Sequence, residues 1–314
     1  MKIAYYPPSS KENLFSENMI GCLSELGDVY EVTPRRLVNF IKFSRYDVAV
    51  VNWIESKVIK SNGDFSLFKF TFFVAWFHIL KFFSKKIIYV KHNNFPHGVS
   101  SVDSGLRIVR YFESRSDKVV VLIPQLGANF VPHPLYSDLS NRKCTSRDAA
   151  PYAVFFGRIE KYKNLDKLIS AWPELMRLVI AGPCNNAVYL EYLRNLGTGK
   201  DINIIGRYLS EDEASELVGG AYVLVNPASE GSAIVSGSAM YALSMGVPVV
   251  GVHTPFMSFM EELGYGVPVN SLEEIDSDFL HEVRSGSVLI SRGAVNEIFG
   301  QKMIVDRWKE VIYG

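Results

Sequence analysis

The chain has 314 residues, 48% of them hydrophobic and 21% charged. That length suits two domains of ordinary size, and that composition excludes a disordered chain. Its 33 basic and 33 acidic residues balance, which excludes a general basic field for nucleic acid.

MKIAYYPPSS opens as a strand, Lys2–Tyr6, stopped by Pro7-Pro8, and lacks the apolar core of a signal peptide. Further apolar runs predict strands at Asp28–Val32, Tyr46–Trp53, Lys86–Lys91 and Lys118–Ile123, of the kind buried on both faces of a parallel sheet. Between them, Phe65–Phe83 is the most aromatic stretch of the chain. It is nearly long enough to cross a bilayer, but Lys69, His78 and Lys81 would each cost about 2–3 kcal/mol at depth. A helix buried against the first sheet is expected there, with a lysine-flanked helix lying in a membrane surface as the alternative. Ser137–Pro151 is polar and without periodicity, and reads as a linker. A second series of strands follows at Tyr152–Phe156, Arg177–Ala181, Ile202–Ile205, Tyr222–Asn226 and Val247–Val252, each separated by room for a helix. The last segment places Met303, Ile304, Trp308, Val311 and Ile312 on one helical face. The expected organisation is therefore a Rossmann-like domain over 1–136, a linker over 137–151, a second Rossmann-like domain over 152–299 and a helix over 300–314 that returns to the first domain.

Several chemistries are disfavoured. No G-x-G-x-x-G follows a strand, so nicotinamide and flavin roles are not expected. Gly197-Thr-Gly-Lys200 lacks the upstream glycine of a P-loop and precedes a strand, so it reads as a turn. Asp276 and Asp278 sit in an acidic loop and read as solvated, and no His/Cys cluster has zinc spacing. No metal or cofactor is expected. The three cysteines, Cys22, Cys144 and Cys184, are far apart and odd in number, which fits a reducing, cytoplasmic compartment.

Two sites carry charge chemistry. Ser236-Gly237-Ser238 precedes an apolar helix whose unpaired N–H groups and positive dipole end suit a phosphate; the alternative is an ordinary serine N-cap. Arg158 and Lys163 follow the first strand of the second series, at the carboxyl edge where open sheets bind ligands, and suit an anionic group such as a phosphate. The alternative there is a solvated basic surface.

Phe156-Gly-Arg158, Leu178-Val-Ile-Ala-Gly182, Ile205-Gly-Arg-Tyr208, Asn226-Pro-Ala-Ser-Glu-Gly231 and Ala242-Leu-Ser-Met-Gly-Val-Pro-Val-Val250 occur in an order that resembles the donor-binding domain of GT-B glycosyltransferases, in the clan of the retaining family 4. More weakly, Tyr89–His97 and Phe130–Tyr136 resemble bacterial exopolysaccharide-type members. The resemblance implies two Rossmann-like domains facing across a cleft. It implies Gly206 and Tyr208 beside the nucleoside, Glu230 against the donor sugar, and His92 at a strand end as acid/base or sugar contact. Asp103, His97 and Glu55 are further choices of base. The second glutamate of the family's E-x7-E pair falls on Ser238, which leaves retaining against inverting transfer open. The implied activity is hexosyl transfer from a nucleotide-diphosphate sugar to a saccharide or lipid-linked saccharide acceptor in surface polysaccharide assembly, at the inner face of the plasma membrane if it is membrane-associated. A sugar-nucleotide epimerase and a non-catalytic subunit partnering another transferase are the alternatives.

Overall fold

A computed structural model describes residues 1–10, 13–36, 45–96, 98–136, 151–228, 233–287, 290 and 292–314. His97, Glu230 and, apart from Pro151, the expected linker lie outside the described residues. The chain forms two compact units. One comprises Met1–Pro134, Gly231–Val235 and Ile298–Gly314; the other comprises Leu135–Glu230 and Ser236–Glu297.

The first unit is built on a parallel sheet of β1 (Lys2–Tyr6), β2 (Asp28–Glu31), β3 (Tyr46–Asn52), β4 (Ser84–Lys91) and β5 (Lys118–Val121), in the order β2-β1-β3-β4-β5. Register is fixed by pairs such as Tyr5↔Val50 and Val50↔Ile88. Because successive side chains alternate, Ile3, Tyr5, Val48, Val50, Ile88 and Val90 form one apolar face, and Ala4, Tyr6, Ala49, Val51, Ile87 and Tyr89 the other. The first face is covered by α1 (Leu14–Ser24) and by the terminal helix. Trp308 of that helix is wholly buried and donates from Nε1 to Met19 Sδ at 2.9 Å. On the opposite face lie α2 (Leu67–Phe82) and α3 (Val102–Arg115). Among the described residues, one side of α2 is covered. Trp76, Phe77 and Leu80 are buried against the sheet, whereas Leu67, Phe68, Phe72, Ile79 and Phe82 are exposed. Burial therefore accounts for half of this helix and leaves its second apolar side open.

The second unit has a six-stranded parallel sheet ordered β11-β10-β9-β6-β7-β8. Its strands are β6 (Ala153–Phe156), β7 (Leu178–Ala181), β8 (Ile202–Ile205), β9 (Val223–Asn226), β10 (Val249–Val252) and β11 (Gly266–Val269). The helices between them are α4 (Leu165–Ala171), α5 (Ala187–Leu196), α6 (Glu211–Gly220), α7 (Gly237–Ser244) and α8 (Pro255–Glu262), followed by α9 (Ser277–Glu282). Then α10 (Arg292–Phe299) leads into α11 (Gln301–Tyr313), the terminal helix. Strand β11 was not expected from the sequence. Its Pro268 removes a ladder donor and argues against a central strand, but β11 lies at the sheet edge, where that loss is tolerated. The Gly197–Lys200 turn has a structural role: Lys200 Nζ caps the end of α4 by donating to the carbonyls of Ile169, Ser170 and Trp172 at 2.8, 2.8 and 2.9 Å. Asp276 is a helix N-cap, accepting from Phe279 N at 2.8 Å.

Candidate functional site

In the second unit the chain runs outward from β6 through β7 to β8, then returns to the other side of β6 for β9. The reversal lies between β6 and β9, and ligands of open α/β sheets bind beyond the strand carboxyl ends at such a point. Three strands here are followed at once by a glycine: β6 by Gly157, β7 by Gly182 and β8 by Gly206. Two of these glycines are dictated by geometry. Gly157 and Gly182 have φ of 142° and 148°, values closed to L side chains, and a Cβ on Gly182 would collide with the Gly157 carbonyl. A Cβ on Gly157 would come within 2.9 Å of Ser238 Oγ. The end of β6 thus lies directly against the first turn of α7.

That turn opens at Ser236, whose Oγ accepts from Ala239 N at 3.4 Å. The hydroxyl of Ser236 is a helix cap, so at this residue the ordinary N-cap reading holds. Gly237 begins the helix, and a Cβ there would stand 3.4 Å from the Tyr136 hydroxyl. Tyr136 is positioned by its own N–H, which donates to Ser244 Oγ at 3.0 Å, and by its ring against Tyr241, centroids 5.4 Å apart. Tyr241 in turn meets Phe156 at the end of β6, 5.0 Å away. A small-residue helix start, a glycine strand end and a tyrosine hydroxyl therefore adjoin at the switch point.

Arg158 and Lys163 differ in setting. Arg158 is exposed and its Nε donates to Glu160 Oε1 at 2.7 Å. Lys163 is half-buried, with Nζ over the Tyr162 ring at 5.1 Å. Burial lowers its pKa from 10.5, and Glu160 acts in the opposite direction. Its turn is held to β9 by Asn164, whose left-handed backbone starts α4 and whose Nδ2 donates to Pro227 O at 3.4 Å. Gly206 leads into an exposed Tyr208. The loop is fixed by Arg207, which grips Glu213 at 2.6 and 3.0 Å, while Glu213 and Ser210 complete a capping box on α6. The pairing holds the Glu213 carboxyl down at about 2. The Ser-x-x-Glu pattern of residues 210–213 is a sequence signal for this loop that the motif reading did not use.

In the first unit the order β2-β1-β3-β4-β5 puts the reversal between β1 and β3. Asn52 ends β3 and donates from Nδ2 across it to Tyr6 O at 2.9 Å. This fixes the amide: Oδ1 points the other way and meets His92 Nε2, also at 2.9 Å. An amide oxygen only accepts, so Nε2 carries the proton. Burial pushes the His92 pKa well below its usual range, with His133 adding to the shift, so the ring is neutral and its lone pair is on Nδ1. The ring is stacked on Trp53 at 3.9 Å and meets Phe15 edge-on at 4.7 Å. Trp53 has φ 49°, a left-handed conformation that costs about 1–3 kcal/mol for a bulky residue and is favoured at functional sites. Neither Asn52 nor Trp53 has a sequence signature for these roles. Ile234 N–H donates to His92 O at 2.9 Å and Ala233 bridges Asn93, which is why Gly231–Val235 group with this unit rather than with the flanking second-domain chain.

The remaining candidates lie elsewhere. Glu55 is wholly buried, with Tyr89 and Asn93 donating to its two oxygens at 2.9 and 3.2 Å. Burial raises its pKa, and with both oxygens engaged it braces the interior instead of presenting a base. Asp103 is exposed in the first turn of α3, where a carboxylate faces the positive helix end. Among the described residues no group of three His, Cys, Asp or Glu side chains could hold a metal ion.

Both units are parallel α/β sheets of Rossmann type, and solved structures share the pair over nearly their whole length. The fold is GT-B. Sucrose-phosphate synthase from Thermosynechococcus elongatus matches at TM-score 0.70 and 14% identity, over 100% of this chain and 98% of its own. Anabaena HepE in complex with UDP-glucose matches at TM-score 0.68 and 12% identity, over 100% and 99%. A putative UDP-N-acetylglucosamine 2-epimerase from Listeria monocytogenes matches at TM-score 0.57 and 13% identity, over 99% and 96%. Residues 150–277 match the model of the family described as Glycosyl transferases group 1. No curated protein matches the chain. This GT-B fold serves more than one reaction class among its neighbours, so the reaction has to be argued from the site.

Proposed function

We propose that this protein is a glycosyltransferase that moves a hexosyl group from a nucleotide-diphosphate sugar to a saccharide acceptor, in surface polysaccharide assembly, without a metal ion. The observation that carries the reading is the meeting of Gly157 with the first turn of α7 at the switch point, with Arg158 and Lys163 on the segment that leaves the same strand end. A diphosphate leaving group gains one negative charge as the bond between the anomeric carbon and its terminal phosphate oxygen breaks. Backbone N–H groups at a helix start and two cations supply donors for that charge without reorganisation. The match of residues 150–277 to a glycosyltransferase family spans this same region and supports the assignment. In the first unit, His92 is neutral with an unprotonated Nδ1, the state required of a base toward an acceptor hydroxyl. The cysteines free of disulfides, Cys22 and Cys184, fit a cytoplasmic setting.

The test is calorimetric titration of UDP, GDP, dTDP and CMP and their sugars, followed by product analysis with and without an oligosaccharide acceptor. Transfer to acceptor, unaffected by EDTA, is the expected result. Isomerisation of a donor sugar with no acceptor present would instead assign an epimerase. Loss of transfer in EDTA with recovery on Mn²⁺ would overturn metal independence.

A further inference from the structure

A helix that is apolar on both sides is normally enclosed by protein. Helix α2 is apolar on both sides and, among the described residues, enclosed on one. Its inner side, Phe73, Trp76, Phe77 and Leu80, meets the sheet of the first unit. Its outer side carries Phe68, Phe72, Ala75, Ile79 and Phe82, spaced four, three, four and three residues apart, hence in a single row. All five are exposed, Phe68 by 80% and Phe82 by 67%, and Leu67 adds 68% at the helix start. Single exposed apolar residues are ordinary, but a row of them on one helix marks a contact surface.

The charges around the row say what kind of surface it meets. The helix has no acidic residue. Residues 45–86 contain Arg45, Lys57, Lys60, Lys69, Lys81, Lys85 and Lys86 against Asp47, Glu55 and Asp64, an excess of four basic residues in a chain whose total is zero. Two of the lysines are answered by acids: Lys81 pairs with Asp117 at 3.0 Å and Lys85 with Asp47 at 2.7 Å. Counting Asp117, the excess is still three. Arg45 lies over the Phe82 ring at 5.7 Å, and Lys57 and Lys60 are exposed on the turn preceding the helix. Cations thus flank the apolar row at both ends. The helix has 16 residues, about 24 Å, and no helix among the described residues is long and apolar enough to cross a membrane.

We propose that the outer row of α2 docks this protein on an anionic lipid surface, its aromatic side chains entering the headgroup boundary while Arg45, Lys57 and Lys60 face the lipid charges. This chemistry is that of an interfacial helix held by buried apolar area together with electrostatic attraction. It is independent of the proposed transfer reaction.

Co-sedimentation with vesicles tests it, comparing phosphatidylcholine alone with phosphatidylcholine containing phosphatidylglycerol, at low and high salt. The protein should pellet with the anionic vesicles and be released in part by salt. Phe68→Ser combined with Phe72→Ser and Phe82→Ser should lower the partition coefficient by about tenfold or more. Lys57→Glu with Lys60→Glu should lower it on anionic vesicles alone, and Leu175→Ser, a control at an isolated residue of the second unit that is 93% exposed, should leave it unchanged. Far-UV spectra confirm that the variants are folded, and Phe68→Ser alone serves if the triple variant is not. The proposal is overturned if the parent stays in the supernatant with anionic vesicles, if the serine variants bind as it does, or if neutral vesicles bind equally well. Light scattering that shows a dimer converted to monomer by the triple variant would assign the row to a second copy of the chain and overturn it too.

Discussion

At the level of single side chains, Arg158 and Lys163 differ in how much charge they can turn toward a ligand. Part of the Arg158 fork is taken by Glu160, whereas Lys163 is held half-buried, with its ammonium disfavoured by lost solvation. An incoming diphosphate relieves that penalty, so Lys163→Ala should weaken diphosphate binding by about 1.5–3 kcal/mol and Arg158→Ala by less. Nucleoside binding should be unchanged in both, and equal diphosphate affinity in calorimetry would remove the pair from the site. The ligand needs the protonated amine, so affinity should fall as pH rises through the Lys163 pKa, which lies below 10.5, and this slope should vanish in Lys163→Ala. At His92 the expected state is equally specific: ¹⁵N NMR of the neutral ring should show Nε2 protonated, and Asn52→Leu should release that preference. A protonated Nδ1 in the parent would refute the assignment. Arg158, Lys163 and His92 stood out as candidates in the sequence because they follow apolar strand runs at positions that match the motifs of the resembled family. Asn52 and Trp53 did not, because their roles arise from a hydrogen bond to Tyr6 across 46 positions of sequence and from one left-handed backbone angle.

Among the elements, helix α7 is where close packing and binding can be told apart. Gly157→Ala places a methyl in a left-handed backbone and within 2.9 Å of Ser238 Oγ, and should destabilise the second unit by more than about 1 kcal/mol in urea unfolding. Gly237 is different. Its Cβ position is 3.4 Å from the Tyr136 hydroxyl, an ordinary contact, so Gly237→Ala should fold as the parent does. Gly237→Val extends a branched side chain over the first turn and should reduce diphosphate affinity with little loss of stability. If Gly237→Val binds as the parent does while losing stability, the small residues serve packing and not a ligand. Strands were legible at this scale because a sheet buried on both faces leaves unbroken apolar runs. Strand β11 escaped because its proline is acceptable only at an edge, and sequence does not say which strand is the edge. The outer row of α2 was half legible: its composition was evident, but which side the sheet covers depends on residues far along the chain.

For the molecule as a whole, two alternating α/β series separated by a polar stretch announced two Rossmann-like halves, and the order of motifs in the second supplied the resemblance to GT-B proteins, while the grouping of Gly231–Val235 with the first unit depends on a bond between Ile234 and His92 that no local pattern encodes. The same unit carries the acid response of the protein. His92 and His133 are both buried and both pack on Phe15, and His133 Nδ1 donates to Pro134 O at 2.8 Å. Burial brings His133 down from 6.5 to about 4 in the fold, and His92 is lowered as well. An unfolded chain therefore takes up protons in this interval before the folded one does. The stabilisation is fully present above 6.5, is lost as pH falls toward 4, and for His133 amounts to a loss of about 2 kcal/mol near pH 5. Glu55 works the other way, since its raised carboxyl is easier to protonate in the fold, so the informative quantity is a difference between proteins. His133→Gln should be less stable than the parent at neutral pH, yet lose about 2 kcal/mol less between neutral pH and about pH 5. Urea unfolding followed by tryptophan fluorescence reads this, because Trp53, Trp76 and Trp308 all lie in the first unit and Trp172 alone in the second. Parallel pH dependences for parent and variant would show that His133 takes up its proton at the same pH in the fold as in the unfolded chain, and would remove its burial as a source of acid sensitivity.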